Sequence, residues 1–234
     1  MNETGITILY DNHAEEGLRP GWGFSAFIRT EGAVVVFDTG ADKLVLEHNA
    51  RALNCNLEIA TALVLSHEHC DHMGAISSVI HKGLHLYVPA ALGRRFAGAR
   101  RQGMEMTAVK QPTEIVPGVR SIGELGRRRS PEQGLLIDGA AGPIFLTGCA
   151  HPGIVAMAKR ATELAGRPLD LVLGGFHLLR KKEDEVRRTA EALAKLGIAR
   201  IAPCHCTGDE AISTIRDTFG DRFLEVHAGT HIPL

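Results

Sequence analysis

Short apolar runs broken by turn residues dominate the first half of the chain. Ile6–Tyr10, Phe24–Arg29, Ala33–Phe37 and Ala62–Leu65 are apolar or β-branched and are separated by stretches rich in Gly and Asp, so each predicts a strand. Asp38-Thr39-Gly40 closes the third of them with turn chemistry. Helical spacing then begins at Asp42 and continues to Leu53, with the aspartate near its start. A short helix is predicted over Ala75–His81, followed by a strand over Leu84–Val88.

The segment 98–132 is rich in Gly, Arg and Pro and reads as loops, with strands near Glu114–Val116 and Val119–Ile122. Beyond it the pattern alternates. Gly134–Ile137, Ile144–Leu146, Leu169–Leu173, Ile198–Ala202 and Phe223–Val226 predict strands. Gly153–Leu164, Glu183–Leu196 and Asp209–Thr218 predict helices, the second placing Val186, Ala190, Leu193 and Leu196 on one face. Strands followed by helices indicate α/β layering with helices packed outside sheets. No repeat and no low-complexity stretch interrupts this pattern, so residues 1–234 are expected to form a single domain.

Composition narrows the function classes. The chain is 44% hydrophobic and 23% charged, with a net charge of -1, so no global field gathers nucleic acid or coats an anionic membrane. The basic runs Arg94-Arg95, Arg100-Arg101 and Arg127-Arg128-Arg129 read first as solvated faces, with anion steering as the alternative. Residues 1–10 lack a basic start and a long apolar stretch, and no run approaches the ~20 residues of a membrane helix. Five cysteines without an export signal point to reduced thiols and a cytoplasmic location. The expected partner is a small molecule, with neither nucleic acid nor membrane. Oligomeric state is not written in the sequence.

Twelve histidines are the feature that composition does not explain. His13, His48, His81, His85, His227 and His231 are scattered and read as surface or structural residues. The strand pattern at Ala62–Leu65, by contrast, runs directly into His67-Glu68-His69-Cys70-Asp71-His72 and then Met73-Gly74. Histidines two apart in an extended segment point the same way, so His67 and His69 can share one ion. Asp71 and His72 face the other side and can hold a second, and Asp71 can also hold a water in place and take its proton. Imidazole with carboxylate suits zinc, with manganese and iron as alternatives. His151, His177 and His205 each follow a presumed strand, where open α/β sheets place their sites.

His-x-His-x-Asp-His after an apolar strand, with Phe37-Asp-Thr-Gly40 upstream, resembles the metallo-β-lactamase superfamily. Thr7–Asn12, Gly21–Ser25, Thr147–Gly153, Gly174–Leu178 and Cys204–Gly208 resemble one subfamily within it. That subfamily is labelled dihydropterin-ribofuranosyl-aminobenzene phosphate synthase-like. The resemblance spans about Ile6 to Gly229. It implies an αββα sandwich, two mixed β-sheets flanked by helices, with metals at one edge. It implies His67, His69 and a third histidine for one ion, and Asp71, His72 and His205 for the other. The third histidine is expected to be His151, with Cys149 and His177 as the alternatives. Where the superfamily has a bridging aspartate in a Gly-Asp turn, this chain reads Gly148-Cys149, and Cys149 is either a thiolate ligand or a small buried residue.

The expected activity is metal-dependent hydrolysis of an ester, lactone, thioester or phosphoester, with a pterin or phosphorylated aromatic as the substrate the resemblance implies. Asp71 orients the nucleophile and His177 donates a hydrogen bond to the developing oxyanion. Asp38 is expected to steady the ligand loop, Asp11, Asn12 and Trp22 to line the pocket mouth, and Trp22 either to pack in the core or to stack on a flat ring. The competing readings are a di-iron redox protein of the same fold and a metal- or ligand-binding protein without turnover. A flavin domain of the kind that accompanies such di-iron centres has no room in 234 residues.

Overall fold

The structure is a computed structural model and describes residues 3–99, 103–126 and 131–234. Two sheets face one another. The first runs in the order β13 (His231–Pro233), β1 (Gly5–Tyr10), β2 (Ser25–Arg29), β3 (Val34–Phe37), β4 (Ala62–Val64), β5 (His85–Pro89) and β6 (Glu105–Val109). The second runs β12 (Arg200–Cys204), β11 (Leu171–Gly175), β10 (Pro143–Thr147), β9 (Leu135–Asp138), β8 (Val119–Ser121) and β7 (Thr113–Val116). Both are mixed: β3 to β6 are parallel, as are β10 to β12, while the remaining pairings are antiparallel.

The near-continuous hydrophobicity of the strands has a simple cause, since both faces of each sheet are covered. Alternate residues point to opposite sides. Val35, Phe37, Ala62 and Val64 meet Ile144, Leu146, Leu171 and Leu173 between the sheets. Val34, Val36, Leu63 and Leu65 turn outward against α1 (Lys43–Ala52), where Leu46 is fully buried. Phe145 and Val172 turn outward against α3 (Ile154–Ala165), α4 (Glu183–Lys195) and α5 (Asp209–Phe219). Asp42 caps α1 by accepting from the backbone of Leu44 and Val45, the bond its position predicted. The αββα expectation is met.

Four local expectations are corrected. Glu105–Val109 is a strand at the sheet edge; only Val109 of its five residues is buried, and the alternation of Glu105, Met106, Thr107 and Ala108 is too short to stand out in a segment rich in Gly and Arg. Phe223–Val226 is not a strand: it touches β12 through one isolated bridge, Ile201 to Phe223, as the chain leaves a tight 3-10 turn at Gly220–Arg222. The last strand is His231–Pro233 at the opposite end of the first sheet, an edge place where proline is tolerated. Within Ala75–His81 only Ile76–Ser78 form a 3-10 turn, whereas Cys70–Met73 form a short helix, α2, so the second half of the histidine cluster is helical rather than loop. The runs Arg100-Arg101 and Arg127–Arg129 lie outside the described residues.

Candidate metal centre

The chemistry collects at one rim, where β1, β3, β4, β10, β11 and β12 end. His67 follows β4, and α2 turns the chain so that Asp71 and His72 face back toward it. His151 follows β10, His177 follows β11 and His205 follows β12. Of the non-glycine residues with positive φ among those described, Asp38 (55°), Ala150 (56°), His177 (55°) and His205 (50°) border this rim, leaving only Asn54 elsewhere. Such backbone strain gathers where the surrounding structure over-determines a site.

Two sets of ligand atoms form. In the first, His151 Nε2 lies 3.2 Å from both His67 Nε2 and His69 Nδ1. In the second, His72 Nε2 lies 3.2 Å from His205 Nε2, and Asp71 Oδ2 lies 3.4 Å from His205 Nε2 and 3.8 Å from His72 Nε2. All six predicted ligands are therefore brought together, three to a set. His177 stands beside them, its ring 4.2 Å from that of His151, and its nitrogen groups with the sulfurs of Cys149 and Cys206.

Each ligand loop is held by a buried acid. Asp38 Oδ1 accepts from Ser66 N (2.7 Å), and Asp38 Oδ2 accepts from Ser66 Oγ (2.6 Å) and His72 Nδ1 (2.7 Å). Having donated its proton to Asp38, Ser66 Oγ accepts from His67 Nδ1 at 2.8 Å. Glu132, fully buried, gathers three successive backbone N–H groups: Cys149 and Ala150 donate to Oε1 and His151 to Oε2, each at 2.8 Å. Asp11 Oδ1 accepts from His205 N at 2.9 Å, and Asn12 Oδ1 accepts from His205 Nδ1 at 3.1 Å. Asp11 is thus an anchor behind the site rather than a residue of the pocket mouth, and Asn12 supports the His205 ring and its carbonyl. Glu132 was invisible in the sequence, where it is a single acid beside an apolar strand with no motif around it.

These anchors decide the donor chemistry. His67, His72 and His205 each commit the Nδ1 proton outward, which leaves the Nε2 lone pairs converging inward. Burial lowers the pKa of His67 well below the usual histidine value, and burial together with His177 and His69 brings His151 down to about 4. Burial opposes protonation of His72 too, but the Asp38 carboxylate outweighs it and raises the value. Burial likewise opposes ionisation of Asp71, yet the His205 hydrogen bond and His72 hold its carboxyl well below the usual range. A hydrogen bond to the Cys206 sulfur raises His177. Convergent lone pairs at 3.2 Å repel unless a cation stands among them, so the residues present fit metal ions.

A cavity of about 380 Å³ opens beside the rim, lined by Trp22, His177, Leu179, Arg180, Lys181 and Cys206. Trp22 is 50% exposed with its ring 4.9 Å from that of His205, so it belongs to the cavity wall and not to the core. A larger cavity, about 640 Å³, lies at the other end of the strands around Thr30, Glu31, Pro117 and Asp138, away from every ligand named above. Among the described residues no helix is long and apolar enough to cross a membrane.

Comparison with known proteins fixes the architecture. The crystal structure of Tm1679, a metal-dependent hydrolase of the β-lactamase superfamily, matches with a TM-score of 0.80 at 23% identity, covering 99% of both chains. YhfI from Bacillus subtilis, a metallo-β-lactamase fold protein, matches with a TM-score of 0.72 at 14% identity, covering 98% of this chain and 99% of its own. The chain has the metallo-β-lactamase fold. No family profile matches it. In sequence, this metallo-β-lactamase fold chain is similar to the 7,8-dihydropterin-6-methyl-4-(β-D-ribofuranosyl)-aminobenzene-5′-phosphate synthase of Methanocaldococcus jannaschii. The identity is 27% over 242 residues, spanning 83% of this chain and 82% of that enzyme.

Proposed function

We propose that the protein is a metal-dependent hydrolase of small molecules that holds two divalent ions, one on His67, His69 and His151 and one on Asp71, His72 and His205. The observation that carries this reading is the inward convergence of ring nitrogens whose opposite nitrogens are tied to Ser66, Asp38 and Asn12. Zinc suits this imidazole-rich set, with manganese or iron as alternatives. When bound, such ions supply Lewis acidity toward a carbonyl or phosphoryl oxygen and a water that ionises near neutral pH.

The chain's own residues do the rest. Asp71 remains anionic across the neutral range, so it orients the attacking water and passes the proton on to solvent rather than storing it. His177, raised by Cys206 and placed at the cavity edge, donates a hydrogen bond to the developing oxyanion of an ester, lactone, thioester or phosphoester. Trp22 offers a flat face, and Arg180 and Lys181 offer positive charge, features that suit an anionic ring compound such as a pterin or a phosphorylated aromatic. A second reading, group transfer to an acceptor other than water, is favoured by the similarity to the M. jannaschii enzyme, which is named as a synthase. The proposal places this activity in the cytoplasm, in keeping with five free thiols, and in one domain spanning 1–234.

Elemental mass spectrometry on protein purified without chelators, followed by a panel of phosphoesters, lactones and thioesters, tests the proposal. About two equivalents of metal per chain and turnover that is lost on chelation are expected. A chain that takes up no metal on reconstitution would falsify it. Formation of a coupled product in place of the hydrolysed one would decide for transfer.

A further inference from the structure

The six ligands of the two proposed ions carry a single negative charge, that of Asp71, because the histidines are neutral when they coordinate. Two divalent ions held side by side repel, and an anion between them relieves that repulsion. The three buried carboxylates behind the rim are already committed. Both oxygens of Asp38 are engaged by Ser66 and His72, both oxygens of Glu132 by the backbone of 149–151, and those of Asp11 by the backbone N–H groups of His205 and His13.

Cys149 is the one side chain that belongs to both ligand sets among the described residues. Its sulfur lies within 4.8 Å of the ligand atoms of Asp71, His72 and His205, and within the same span of those of His67 and His151. It is 3.1 Å from His72 Nε2. Its position is tightly fixed. Glu132 holds its N–H, and Cys206 Sγ donates to its carbonyl at 3.6 Å. Gly148 before it has no room for a side chain, since a Cβ there would run into Ser66 Oγ and approach Asp38 Oδ2 to 2.9 Å. The residue is 3% exposed, buried among ligands rather than among hydrocarbon alone.

We infer that Cys149 bridges the two ions, its sulfur bonded to both, which makes the centre thiolate-bridged and selects thiophilic ions such as zinc, iron or cobalt over magnesium or calcium. Forming the bridge makes two metal–sulfur bonds and releases the thiol proton to solvent; nothing is oxidised or reduced. The inference rests on the two-ion reading above.

The test uses the whole chain loaded with cobalt(II), read by near-ultraviolet thiolate-to-cobalt charge-transfer absorption, with metal counted by elemental mass spectrometry. Two ions per chain and an absorption that grows with both equivalents are expected. Cys149→Ser should remove the band and weaken binding of the second ion about tenfold or more. Cys206→Ser should keep the band, and Cys149→Asp should bind two ions without it. X-ray absorption on the unaltered zinc-loaded protein requires no variant to fold: a bridge gives on average one sulfur per zinc, a terminal thiolate half of one. Two bound ions with half a sulfur each, with none, or with a band that disappears only in Cys206→Ser overturn the bridge and leave the two-ion reading standing. Failure to bind metal at all overturns the two-ion reading itself.

Discussion

His67, His69, Asp71 and His72 leave one strand end within six residues, whereas Cys149, His151 and His205 arrive from two strand ends far apart in the chain. The first group needs one acid, Asp38, which reaches Ser66 and the His72 ring together. The second needs two: Glu132, which grips the backbone of 149–151 and the Thr147 hydroxyl, and Asp11, which grips the backbone of His205 with Asn12 on its ring. A contiguous motif can orient its own rings. Ligands delivered singly depend on the backbone being held from elsewhere, so the anchors of the second group should matter more to folding and that of the first more to affinity.

The largest effect should follow removal of the backbone grip. Glu132→Ala leaves three buried N–H groups without a partner and should lower stability by about 3 kcal/mol or more, since each orphaned donor costs about 1–3 kcal/mol. Urea unfolding measures it, and a loss below 1 kcal/mol would show that the 148–151 turn holds itself. Next comes His205→Ala, expected to lose one of two metal equivalents and nearly all turnover while the ion on His67, His69 and His151 stays. Loss of both ions together would mean the sets are not separable. Asp38→Asn keeps the shape of the anchor but loses its charge and one acceptor, and should weaken metal binding about 10–100-fold while costing the metal-free protein less stability than Glu132→Ala does. Metal titration followed by calorimetry distinguishes the two.

A pH profile sharpens the contrast at smaller scale. His67 and His151 have folded pKa values below the 6.5 of an unperturbed histidine, so the unfolded chain binds more protons and the stability they contribute is lost as pH falls, for His151 down toward about 4. His72 and His177 are raised above 6.5, so what they contribute is present below that pH and lost as pH rises through their folded values. For these four groups the metal-free protein should be most stable near pH 6.5, and metal loading should move the optimum upward by displacing the proton on His72. Unfolding midpoints that rise steadily to pH 9 without metal would contradict the assignment of His72. The mildest change is Trp22→Ala, which should raise KM for a ring-bearing substrate and leave kcat and metal content as they are; an unchanged KM would remove Trp22 from the binding wall.

The same comparison explains what the sequence could show. The strands on both sides of the core were legible because Val34–Phe37 or Ile144–Leu146 are apolar throughout, and a strand buried on both faces has no other way to read. Glu105–Val109 was not, because an edge strand buries little, here Val109 alone, and so needs no continuous apolar run. The His67–His72 cluster could be found because its ligands are neighbours in sequence as well as in space. Glu132 could not: its role comes from where the chain folds back, and its closest partners are backbone amides, which every sequence possesses. Cys149 fell between, visible as a departure at the Gly148 turn, with its central place set only by the approach of β4 and β10 across the sandwich.

The left-handed backbone at Asp38, Ala150, His177 and His205 bears on how this protein can change over generations. Each such residue costs on the order of 1 kcal/mol that glycine would avoid. Selection for toughness alone would therefore drift toward glycine at all four positions, and at three of them it would erase an anchor, a ligand or the proposed oxyanion donor. Ala150 alone offers no side-chain chemistry to lose. A lineage under heat stress should accept glycine there first and resist it at the other three, so substitution patterns at these four turns would record whether a descendant still uses the centre or keeps only its fold.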